Sequence, residues 1–491
     1  MIDWQFLFYR SFYYFCNTII VYVAIINSIY FFLMILGFFA LRRYHARLTP
    51  EARDMLLKSP LVPEISVIAP AHNESMTIRE SVKAMLKLTY PNHQVIVVND
   101  GSKDDTLDIL IDEFHLYRSA RTPSGPLDHK PIRAIYESRD PIRLLVIDKE
   151  NGGKADSLNA GLNLARSPLV AAVDSDSLLE PDSLLQAVKP FMEDPEGTLA
   201  CGGMIRVVNG CDVQHGRVTR ISTGSSIIAL FQSIEYLRAF LGGRVALSFL
   251  NSLLIISGAF GIFRRDAVLA SGGFAVKTVG EDMELVVRLH RQWREKKAKY
   301  WIRYVPEPVC WTEVPETIKI LRRQRNRWQR GTVESISLHK KVLLRPKYGL
   351  MGMFACPYFA LFEMFGPAVE SAGYICTGLG LAVGIITREV AILFFVVSVL
   401  FGIVLSTSAV VLEEFTARRY SRSIDIARLF VVAILENLGF KQLMTYWRTR
   451  GLIDGLKGKT GWGAMERKGF QTASPAQAAA EKLRPAVSGP A

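Results

Sequence analysis

The sequence lacks the spacing patterns that mark several common protein classes. Its 6 cysteines among 491 residues are scattered without metal-ligand or disulfide-framework spacing, which indicates reduced thiols. The stretches APAHNES (69–75) and VVNDGSKDDT (97–106), which follow two apolar runs, lack both the Gly-x-Gly spacing of a dinucleotide fingerprint and the Gly-Lys-Ser/Thr ending of a phosphate loop. No zinc-finger, RNA-recognition or helix-turn-helix signature accompanies the net charge of +13, so no nucleic-acid partner is expected. Basic residues instead flank apolar segments and fill the tail from Lys441 onward, where membrane lipids with anionic headgroups would attract them.

Charge is also missing from a long stretch near the start of the chain. Residues 11–41 contain no charged side chain, which exceeds the roughly 20 residues that a helix needs to cross a bilayer core. We therefore predict an N-terminal transmembrane anchor over residues 1–47. Arg42, Arg43 and Arg47 follow the apolar run, and short basic flanks tend to stay in the cytoplasm. The large segment after them is predicted to be the cytosolic part of an integral protein of the cell membrane.

The last third of the chain is again strongly apolar. Residues 348–387 carry only Glu363 and Glu370, and this stretch predicts two spans joined tightly. Residues 390–412 form an uncharged third span, and 428–447 a weaker fourth one.

These segments define a C-terminal transmembrane region over 348–447 of three or four helices. Four spans would return the tail to the cytosol but would place an arginine cluster outside, against the positive-inside tendency. The cluster consists of Arg418, Arg419, Arg422 and Arg428. Residues 448–491 are predicted to form a basic cytosolic tail that is disordered from about 471.

Between these regions the sequence alternates apolar runs with amphipathic segments. EISVIAP, HQVIVVND, RLLVIDKE and SPLVAAVDSD predict buried strands, and helix-compatible sequence follows each one. This βαβ pattern is typical of a doubly wound α/β sheet, where ligands bind outside the carboxyl ends of the strands. Residues 115–142 predict a loop insertion. Residues 222–263 are apolar but interrupted by charge, and they predict an amphipathic or interfacial element.

Polar motifs follow the first two predicted strands. Glu74 lies in APAHNES and Asp100 in VVNDGSKDDT, so both carboxylates fall at adjacent strand ends, where they could accept hydrogen bonds from a base and a ribose. A turn with a helix cap explains the neighbours Asn99, Gly101 and Ser102 equally well.

The third strand leads into DKENGGKADSLNAG. Gly152 and Gly153 allow close backbone approach, and Lys154 begins a helix, where the helix dipole disfavours a cation. A nearby anionic ligand would explain this lysine. A solvated lysine is the alternative.

The fourth strand ends in DSDS. Asp174 and Asp176, two residues apart on an extended segment, would project to the same side. Mg²⁺ or Mn²⁺ takes one or two carboxylates and completes its shell with water and phosphate oxygens, as a nucleoside diphosphate would require. A turn or a helix cap is the competing interpretation.

Two further motifs occur later in the chain. Glu281 and Asp282 precede a helix-like run, where acids are stabilised by the helix dipole or could act as a general base. LRRQRNRWQRG, residues 321–331, is typical of a solvated basic helix. Trp328 favours a second interpretation, because an aromatic face beside Arg and Gln donors suits sugar stacking and diphosphate binding.

The order APAHNE, VVNDGSKDDT, NGGKADSLN, DSD, GED, QRNRW closely resembles the processive membrane glycosyltransferases of family 2, which include hyaluronan, cellulose, chitin-oligosaccharide and poly-N-acetylglucosamine synthases. The resemblance covers roughly residues 60–335 together with the flanking membrane segments. It implies a cytosolic domain with a GT-A-type, doubly wound, mostly parallel sheet, flanked by transmembrane helices.

The resemblance also implies roles for the residues of the donor site. Glu74 and Asp100 would contact the uridine of a UDP-sugar, and Lys154 would lie near the donor. Asp174 would line the same site, and Asp176 would coordinate the Mg²⁺ or Mn²⁺ that bridges the diphosphate.

For the acceptor, the resemblance implies that Asp282 is the general base. Gln324, Arg327 and Trp328 match QxxRW, which in this family borders the acceptor terminus and the leaving diphosphate. The base would activate the acceptor hydroxyl in a single displacement that inverts the anomeric centre.

Three functions are compatible with these features. The first is a synthase that extends a polysaccharide and moves it across the membrane, with accessory membrane or export proteins as further partners. The second is a single-addition glycosyltransferase that acts on a membrane lipid acceptor. The third is a non-catalytic membrane protein that binds nucleotide sugars, against which the complete motif set argues.

Overall fold

The structure is a computed structural model and describes residues 4–45, 62–139, 143–214, 216–416, 420, 422–459 and 461. The predicted disorder from about 471 lies outside the described residues, as do Arg47, Arg418 and Arg419.

Twelve strands occur in the described residues, and ten of them form one sheet. They are β1 (Ile65–Ala71), β2 (His93–Asp100), β3 (Tyr117–Arg118), β4 (Ile132–Glu137), β5 (Leu144–Lys149), β6 (Leu169–Val173), β7 (Ser177–Leu179), β8 (Thr198–Val207), β9 (Asp212–Gln214), β10 (Arg217–Arg220), β11 (Phe260–Arg264) and β12 (Trp301–Thr312).

The helices of the described residues separate into one N-terminal helix, a set interleaved with the strands, and a C-terminal set. They are α1 (Trp4–His45), α2 (Ile78–Leu86), α3 (Thr106–Phe114), α4 (Lys154–Leu164), α5 (Ser183–Glu193), α6 (Ile227–Leu237), α7 (Val245–Phe249), α8 (Arg265–Ala270), α9 (Glu281–Glu295), α10 (Ile318–Leu338), α11 (Cys356–Tyr358), α12 (Gly366–Val383), α13 (Arg388–Phe395), α14 (Phe401–Thr416), α15 (Ser423–Leu435) and α16 (Lys441–Leu456). Segments of π-helix continue several of them, at Arg238–Arg244, Met351–Ala355, Phe359–Met364, Val396–Leu400 and Glu436–Phe440.

The four predicted strands form the parallel centre of the sheet. The strand order is β3-β4-β5-β2-β1-β6-β11-β8-β12-β7, and β5, β2, β1 and β6 run parallel. Their apolar runs are buried, as expected of strands covered on both faces. The predicted α/β sheet is therefore confirmed.

The rest of the sheet differs from the prediction in its strand directions. Strands β3 and β4 extend one edge of the sheet in antiparallel order. The stretch 115–142, which we predicted to be a loop insertion, therefore contributes two strands to the sheet. Beyond β6, strand β11 is antiparallel, while β8 and β12 pair in parallel. The sheet as a whole is mixed, with its parallel part in the centre.

The stretch 222–263 connects the sheet to α1. Helix α6 continues through Arg238–Arg244 into α7, and strand β11 follows. A Cβ added to Gly37 of α1 would lie 2.9 Å from the carbonyl oxygen of Gly242, so the two helices touch backbone to backbone. Leu33 and Leu41 of α1 belong to the same hydrophobic core as the strands. The N-terminal helix is thereby fixed against the sheet domain.

Two described helical segments are long and apolar enough to cross a membrane, Tyr9–Tyr44 and Arg388–Thr416. A third candidate is the pair Met351–Met364 and Gly366–Val383, which is bent by 41°. One bent pair thus occupies the stretch 348–387, where the sequence pattern predicted two spans. The number of C-terminal spans stays a prediction.

Candidate active site

The carboxyl ends of the parallel strands open into one cavity of about 1210 Å³. Strand β11 runs antiparallel to β6, so the residues that precede Phe260 reach the same edge of the sheet. All nine predicted site residues line this cavity, so the fold brings them to one location. They are Glu74, Asp100, Lys154, Asp174, Asp176, Asp282, Gln324, Arg327 and Trp328.

Asp100, the last residue of β2, holds the loop that follows β5. Its Oδ1 accepts hydrogen bonds from Lys149 Nζ at 2.6 Å and from the Gly152 amide at 2.9 Å, and its Oδ2 accepts one from the Gly153 amide at 2.8 Å. Lys149 is fully buried and also pairs with Asp156 at 2.6 Å. Gly153 adopts a φ of 89°, a conformation that favours glycine. Asp100 thus shapes the Gly-Gly-Lys turn that presents Lys154.

Glu74 follows β1 and lines the same cavity. Its backbone amide donates to Thr106 Oγ1 at 2.9 Å, and its Oε2 accepts a hydrogen bond from Thr77 Oγ1 at 2.8 Å. These bonds fix the side chain at the start of α2, where it is half-buried and lines the cavity.

Lys154 is surrounded by acids, which accounts for a cation at a helix start. Its Nζ lies 2.6 Å from Asp174 Oδ1 and 3.3 Å from Glu281 Oε1, and it donates to the Gly258 carbonyl at 3.2 Å. Burial alone would lower the pKa of Lys154, but Asp174 and Glu281 raise the pKa above its ordinary value. Burial raises the pKa of Glu281, and Lys154 opposes that rise. The alternative of a solvated lysine is wrong.

Asp174 and Asp176 lie in a turn between β6 and β7, and not on an extended strand as predicted. The Ser177 amide donates to the Asp174 carbonyl at 3.1 Å and closes this turn. The Asp174 side chain is 33% exposed, whereas residue Asp176 is 3% exposed. Both still line the cavity.

The donor atoms of this turn fit a hard cation that is completed by other ligands. The described residues contain no group of three or more His, Cys, Asp or Glu side chains that could hold a metal ion. Mg²⁺ is commonly held by one or two carboxylates, with water and phosphate oxygens filling its octahedral shell. Asp174 and Asp176 supply that donor set, and the remaining ligands would come from a diphosphate.

Asp282 also lines the cavity, in the first turn of α9, where a helix start was predicted. Its Oδ1 accepts a hydrogen bond from the Met283 amide at 2.8 Å, and its Oδ2 accepts one from the Gly258 amide at 3.1 Å. The carboxylate is therefore oriented by backbone donors at the cavity wall.

Helix α10 holds the loop that precedes Asp282. A Cβ added to Gly280 would lie 2.9 Å from Cα of Gly331, so the two backbones are in direct contact. Oε2 of Glu334 accepts hydrogen bonds from Thr278 Oγ1 at 2.7 Å and from the Val279 amide at 2.8 Å. The GED motif and the QxxRW helix therefore form one unit.

The QxxRW side chains are distributed along the cavity side of α10. Gln324 is 7% exposed and Trp328 is 41% exposed. The guanidinium of Arg325 lies 4.3 Å from the Trp328 ring centroid and pairs with Glu235 at 2.8 Å. Burial lowers the pKa of Arg327, and the nearby acids Glu281, Asp174 and Asp282 oppose that shift. A basic helix turned wholly to solvent is therefore wrong for this segment.

Two site residues were missed by the sequence reasoning. Gly258 carries no side chain to signal its part, but an added Cβ would lie 2.5 Å from Lys154 Nζ. Arg244 lines the cavity with its guanidinium 3.9 Å from the Phe240 ring centroid, and among the described residues its buried Nη1 has no hydrogen-bond partner. The signal for Arg244 was its charge within an otherwise apolar stretch.

Acids, a lysine and an Arg-Trp helix thus surround one cleft at the strand ends of a mixed α/β sheet. Two family models match the chain: "Glycosyl transferase family 2" over residues 66–123 and "Glycosyl transferase family group 2" over residues 169–411. The chain belongs to the family 2 glycosyltransferases, as its motif order predicted.

Curated relatives of the chain include two staphylococcal proteins. The poly-beta-1,6-N-acetyl-D-glucosamine synthase of Staphylococcus epidermidis is 28% identical over 310 residues, which cover 62% of this chain and 61% of that protein. The synthase of the same name from Staphylococcus aureus is 28% identical over 322 residues, covering 64% and 65%. The similarity thus spans less than two thirds of either relative.

The solved structures that match the chain are more distant in sequence. A mannosyltransferase from Pyrobaculum calidifontis in complex with GDP-Man and Mn²⁺ shares 19% identity, covers 85% of this chain and 99% of its own, and has a TM-score of 0.46. TarS 1-349 from S. aureus in complex with UDP-GlcNAc shares 16% identity, covers 73% and 93%, and has a TM-score of 0.37.

Proposed function

We propose that this protein is an inverting polysaccharide synthase, which transfers sugar units from a UDP-sugar to a growing chain and passes that chain along its own helices. One observation carries the proposal. The cavity that holds all nine site residues is continuous with a space lined by α1 and by residues of the segment 358–448. A growing chain needs a passage that continues from the catalytic cleft, and product length separates this use of the space from the entry of a lipid acceptor.

The donor would bind at the strand ends. Glu74 lines the mouth, and the Gly152–Gly153 turn, held by Asp100, brings Lys154 toward the position of the diphosphate. Both carboxylate oxygens of Asp100 accept hydrogen bonds from the amides of this turn. Asp100 would therefore contribute to uridine binding mainly by fixing the shape of the turn. The names of the staphylococcal relatives favour an N-acetylhexosamine as the sugar.

Transfer would use Asp282 as the general base. Its carboxylate would take the proton of the acceptor hydroxyl while that oxygen attacks the anomeric carbon and the bond to UDP breaks. Negative charge then develops on the leaving diphosphate. Lys154 and Arg327 would stabilise that charge. No carboxylate is needed as a covalent nucleophile, so the product has the inverted configuration.

Asp176, together with Asp174, would hold Mg²⁺ or Mn²⁺. When bound, the cation would neutralise charge on the diphosphate oxygens. The protein's own part is to orient the two carboxylates through the turn that the Ser177 amide closes.

At the far side of the cleft, the acceptor end would stack against Trp328. Its ring is 41% exposed and is held in place by Arg325. The two long apolar segments and the bent pair would place the helix-lined extension within the cell membrane, with the sheet domain on the cytosolic side.

The test uses the full chain, purified in a lipid nanodisc with Mg²⁺ or Mn²⁺. Radiolabelled UDP-glucose, UDP-N-acetylglucosamine, UDP-galactose and UDP-glucuronate are supplied one at a time, and UDP release and product mass are measured. A polymer of many units is expected from at least one donor. A product with one added sugar would contradict the synthase and favour the lipid glycosyltransferase. Absence of UDP release from every donor would contradict both.

A further inference from the structure

The bent pair of helices in the C-terminal region breaks near Phe365, and the break deprives two backbone carbonyls of their helical donors. Pro367 has no N–H group, so it cannot donate to the carbonyl of Glu363, four residues earlier. The Ala368 amide donates to the Phe365 carbonyl at 3.0 Å, whereas a continuous helix would direct it to Met364. The carbonyls of Glu363 and Met364 therefore require donors from elsewhere in the protein.

The side chain of Gln329 supplies these donors. Its Nε2 donates to the Glu363 carbonyl at 3.0 Å and to the Met364 carbonyl at 2.9 Å. Gln329 lies on α10 directly after Trp328, and it is 2% exposed. The helix that carries QxxRW is thus hydrogen-bonded to the break in the bent pair, although Gln329 itself is outside that motif.

Arg448 of α16 joins the same group of contacts. Its Nε donates to Oε1 of Gln329 at 2.9 Å, and its Nη2 donates to the Glu363 carbonyl at 2.9 Å and pairs with the Glu363 carboxylate at 3.0 Å. Because the oxygen of the Gln329 amide accepts from Arg448, its nitrogen faces the carbonyls of the break. Gln329, Glu363 and Arg448 are called here the junction.

The junction lies beside the catalytic cleft. Its three residues line the same cavity as Trp328. Oε1 of Glu363 also accepts hydrogen bonds from Tyr30 Oη of α1 at 2.9 Å and from Tyr358 Oη at 3.1 Å. The junction therefore joins α1, α10, α16 and the bent pair at one place, next to the ring proposed to bind the acceptor.

Helix α16 lies directly against α10 at the junction. A Cβ added to Gly451 of α16 would lie 2.8 Å from Cβ of Gln329 and 2.9 Å from the carbonyl oxygen of Asn326. Such close packing leaves the Gln329 side chain little space in which to change its rotamer. A shift of α10 relative to the break would have to break the hydrogen bonds of the junction.

A ring that binds an acceptor sugar must stay in place relative to the reacting groups, because small displacements reduce the rate steeply. Trp328 precedes Gln329 in the chain, so the junction fixes the backbone that carries this ring. We propose that Gln329 and Arg448 are positioning residues, which hold Trp328 in line with the space lined by α1 and by residues of the segment 358–448. Neither residue has to touch the sugar in this role. The inference rests on the proposed function, whose acceptor site it concerns.

Gln329→Glu tests this role with little change in side-chain size. It keeps an oxygen for Arg448 but turns a second oxygen toward the carbonyls of Glu363 and Met364, so repulsion replaces two hydrogen bonds. For the full chain in nanodiscs we expect a shorter polymer and a KM for an added oligosaccharide acceptor that rises about tenfold, with the KM for the UDP-sugar within about twofold of wild type. Arg448→Met should act in the same direction and serves if the first variant does not fold.

A double variant distinguishes positioning from general support of the fold. If the junction acts through Trp328, Gln329→Glu should raise the acceptor KM by less than about twofold in a Trp328→Ala background, because the two changes remove the same interaction. The matched control is Asn326→Ala. It removes a hydrogen bond of 2.9 Å to Asp454, which joins the same two helices without involving the break, and it should leave both KM values unchanged.

Several results would overturn the inference while leaving the synthase intact. One is wild-type polymer length and acceptor KM in folded Gln329→Glu and Arg448→Met proteins. Others are equal rises in the donor and acceptor KM, effects that multiply in the double variant, or an equal effect of Asn326→Ala, since each indicates general support of the cleft. Absence of UDP release by the wild-type protein from every donor would overturn the proposed function and this inference with it.

Discussion

The backbone amide of Gly258 donates a hydrogen bond of 3.1 Å to Oδ2 of Asp282, and the carbonyl of the same glycine accepts one of 3.2 Å from Lys154 Nζ. Gly258, which has no side chain, thus connects Asp282, the proposed general base, to Lys154, the lysine proposed to stabilise the diphosphate. A side chain at this position would displace the Lys154 ammonium from its place beside the Gly258 carbonyl.

Gly258→Ala should therefore lower the transfer rate. The added Cβ would lie 2.5 Å from Lys154 Nζ and 3.6 Å from Asp282 Oδ2, so the lysine must move. Displacement of reacting groups by about 1 Å can cost about 10²-fold in rate, and we expect a loss of that order in kcat. The matched control is Gly378→Ala on α12, where a Cβ meets nothing within 4 Å. Equal rates for the two variants would argue against a role for Gly258.

Asp100→Asn should destabilise the protein as well as weaken UDP binding. Residues Asp100 and Lys149 are 3% and 0% exposed, and removal of one partner of a buried ion pair costs about 3–5 kcal/mol when the other charge is left alone. Because Lys149 keeps its pair with Asp156, we expect a loss of stability below that range. The Gly152 and Gly153 amides would also lose a charged acceptor. Thermal unfolding and UDP titration measure the two effects. Asp108→Asn, an exposed change on α3, provides the baseline. Wild-type stability with reduced UDP affinity would instead indicate that Asp100 contacts the nucleotide directly.

Trp328→Ala should affect the acceptor rather than the donor. The half-exposed ring faces the cavity and is supported by Arg325 at 4.3 Å. Loss of the stacking surface should shorten the polymer and raise the KM for an added oligosaccharide acceptor about tenfold, with the KM for the UDP-sugar unchanged. Trp328→Phe should recover most of the activity. A matching rise in the donor KM would place the ring at the nucleotide.

Removal of divalent cations should abolish transfer. Chelation with EDTA is expected to stop UDP release, and Mg²⁺ or Mn²⁺ should restore it. Asp176→Asn should raise the concentration of Mn²⁺ that gives half-maximal rate at least tenfold, because one of the two carboxylates of the turn loses its charge. Full activity in EDTA would rule out the metal role of Asp176.

The sequence predicted the centre of the fold well because buried parallel strands leave a strong local signal. The apolar runs of β1, β2, β5 and β6 end in polar motifs, and their shared edge follows from parallel pairing. Strands β8, β11 and β12 were missed, since their place in the sheet depends on pairing with segments far along the chain.

The same distinction applies to the candidate site. Charged side chains such as Lys154 and Asp282 could be identified from their motifs, whereas Gly258 acts only through its backbone. The turn at Asp174 and Asp176 was mistaken for extended strand because a period of two residues does not distinguish the end of a strand from the turn after it. The ion pairs Arg238–Glu436 and Glu363–Arg448, which also line the cavity, join residues separated by long stretches of sequence, so no local pattern indicates them.

Polymer synthesis by proteoliposomes tests the central claim most directly. The full chain is reconstituted with its sheet domain facing outward, a radiolabelled UDP-sugar and Mg²⁺ are added outside, and labelled polymer is measured before and after an external glycosidase. The account predicts long polymer that is protected within the vesicles, and at least about 10²-fold less of it from Asp282→Asn, which lacks the base. Polymer that is wholly digested from outside, or equal synthesis by folded Asp282→Asn protein, would contradict it.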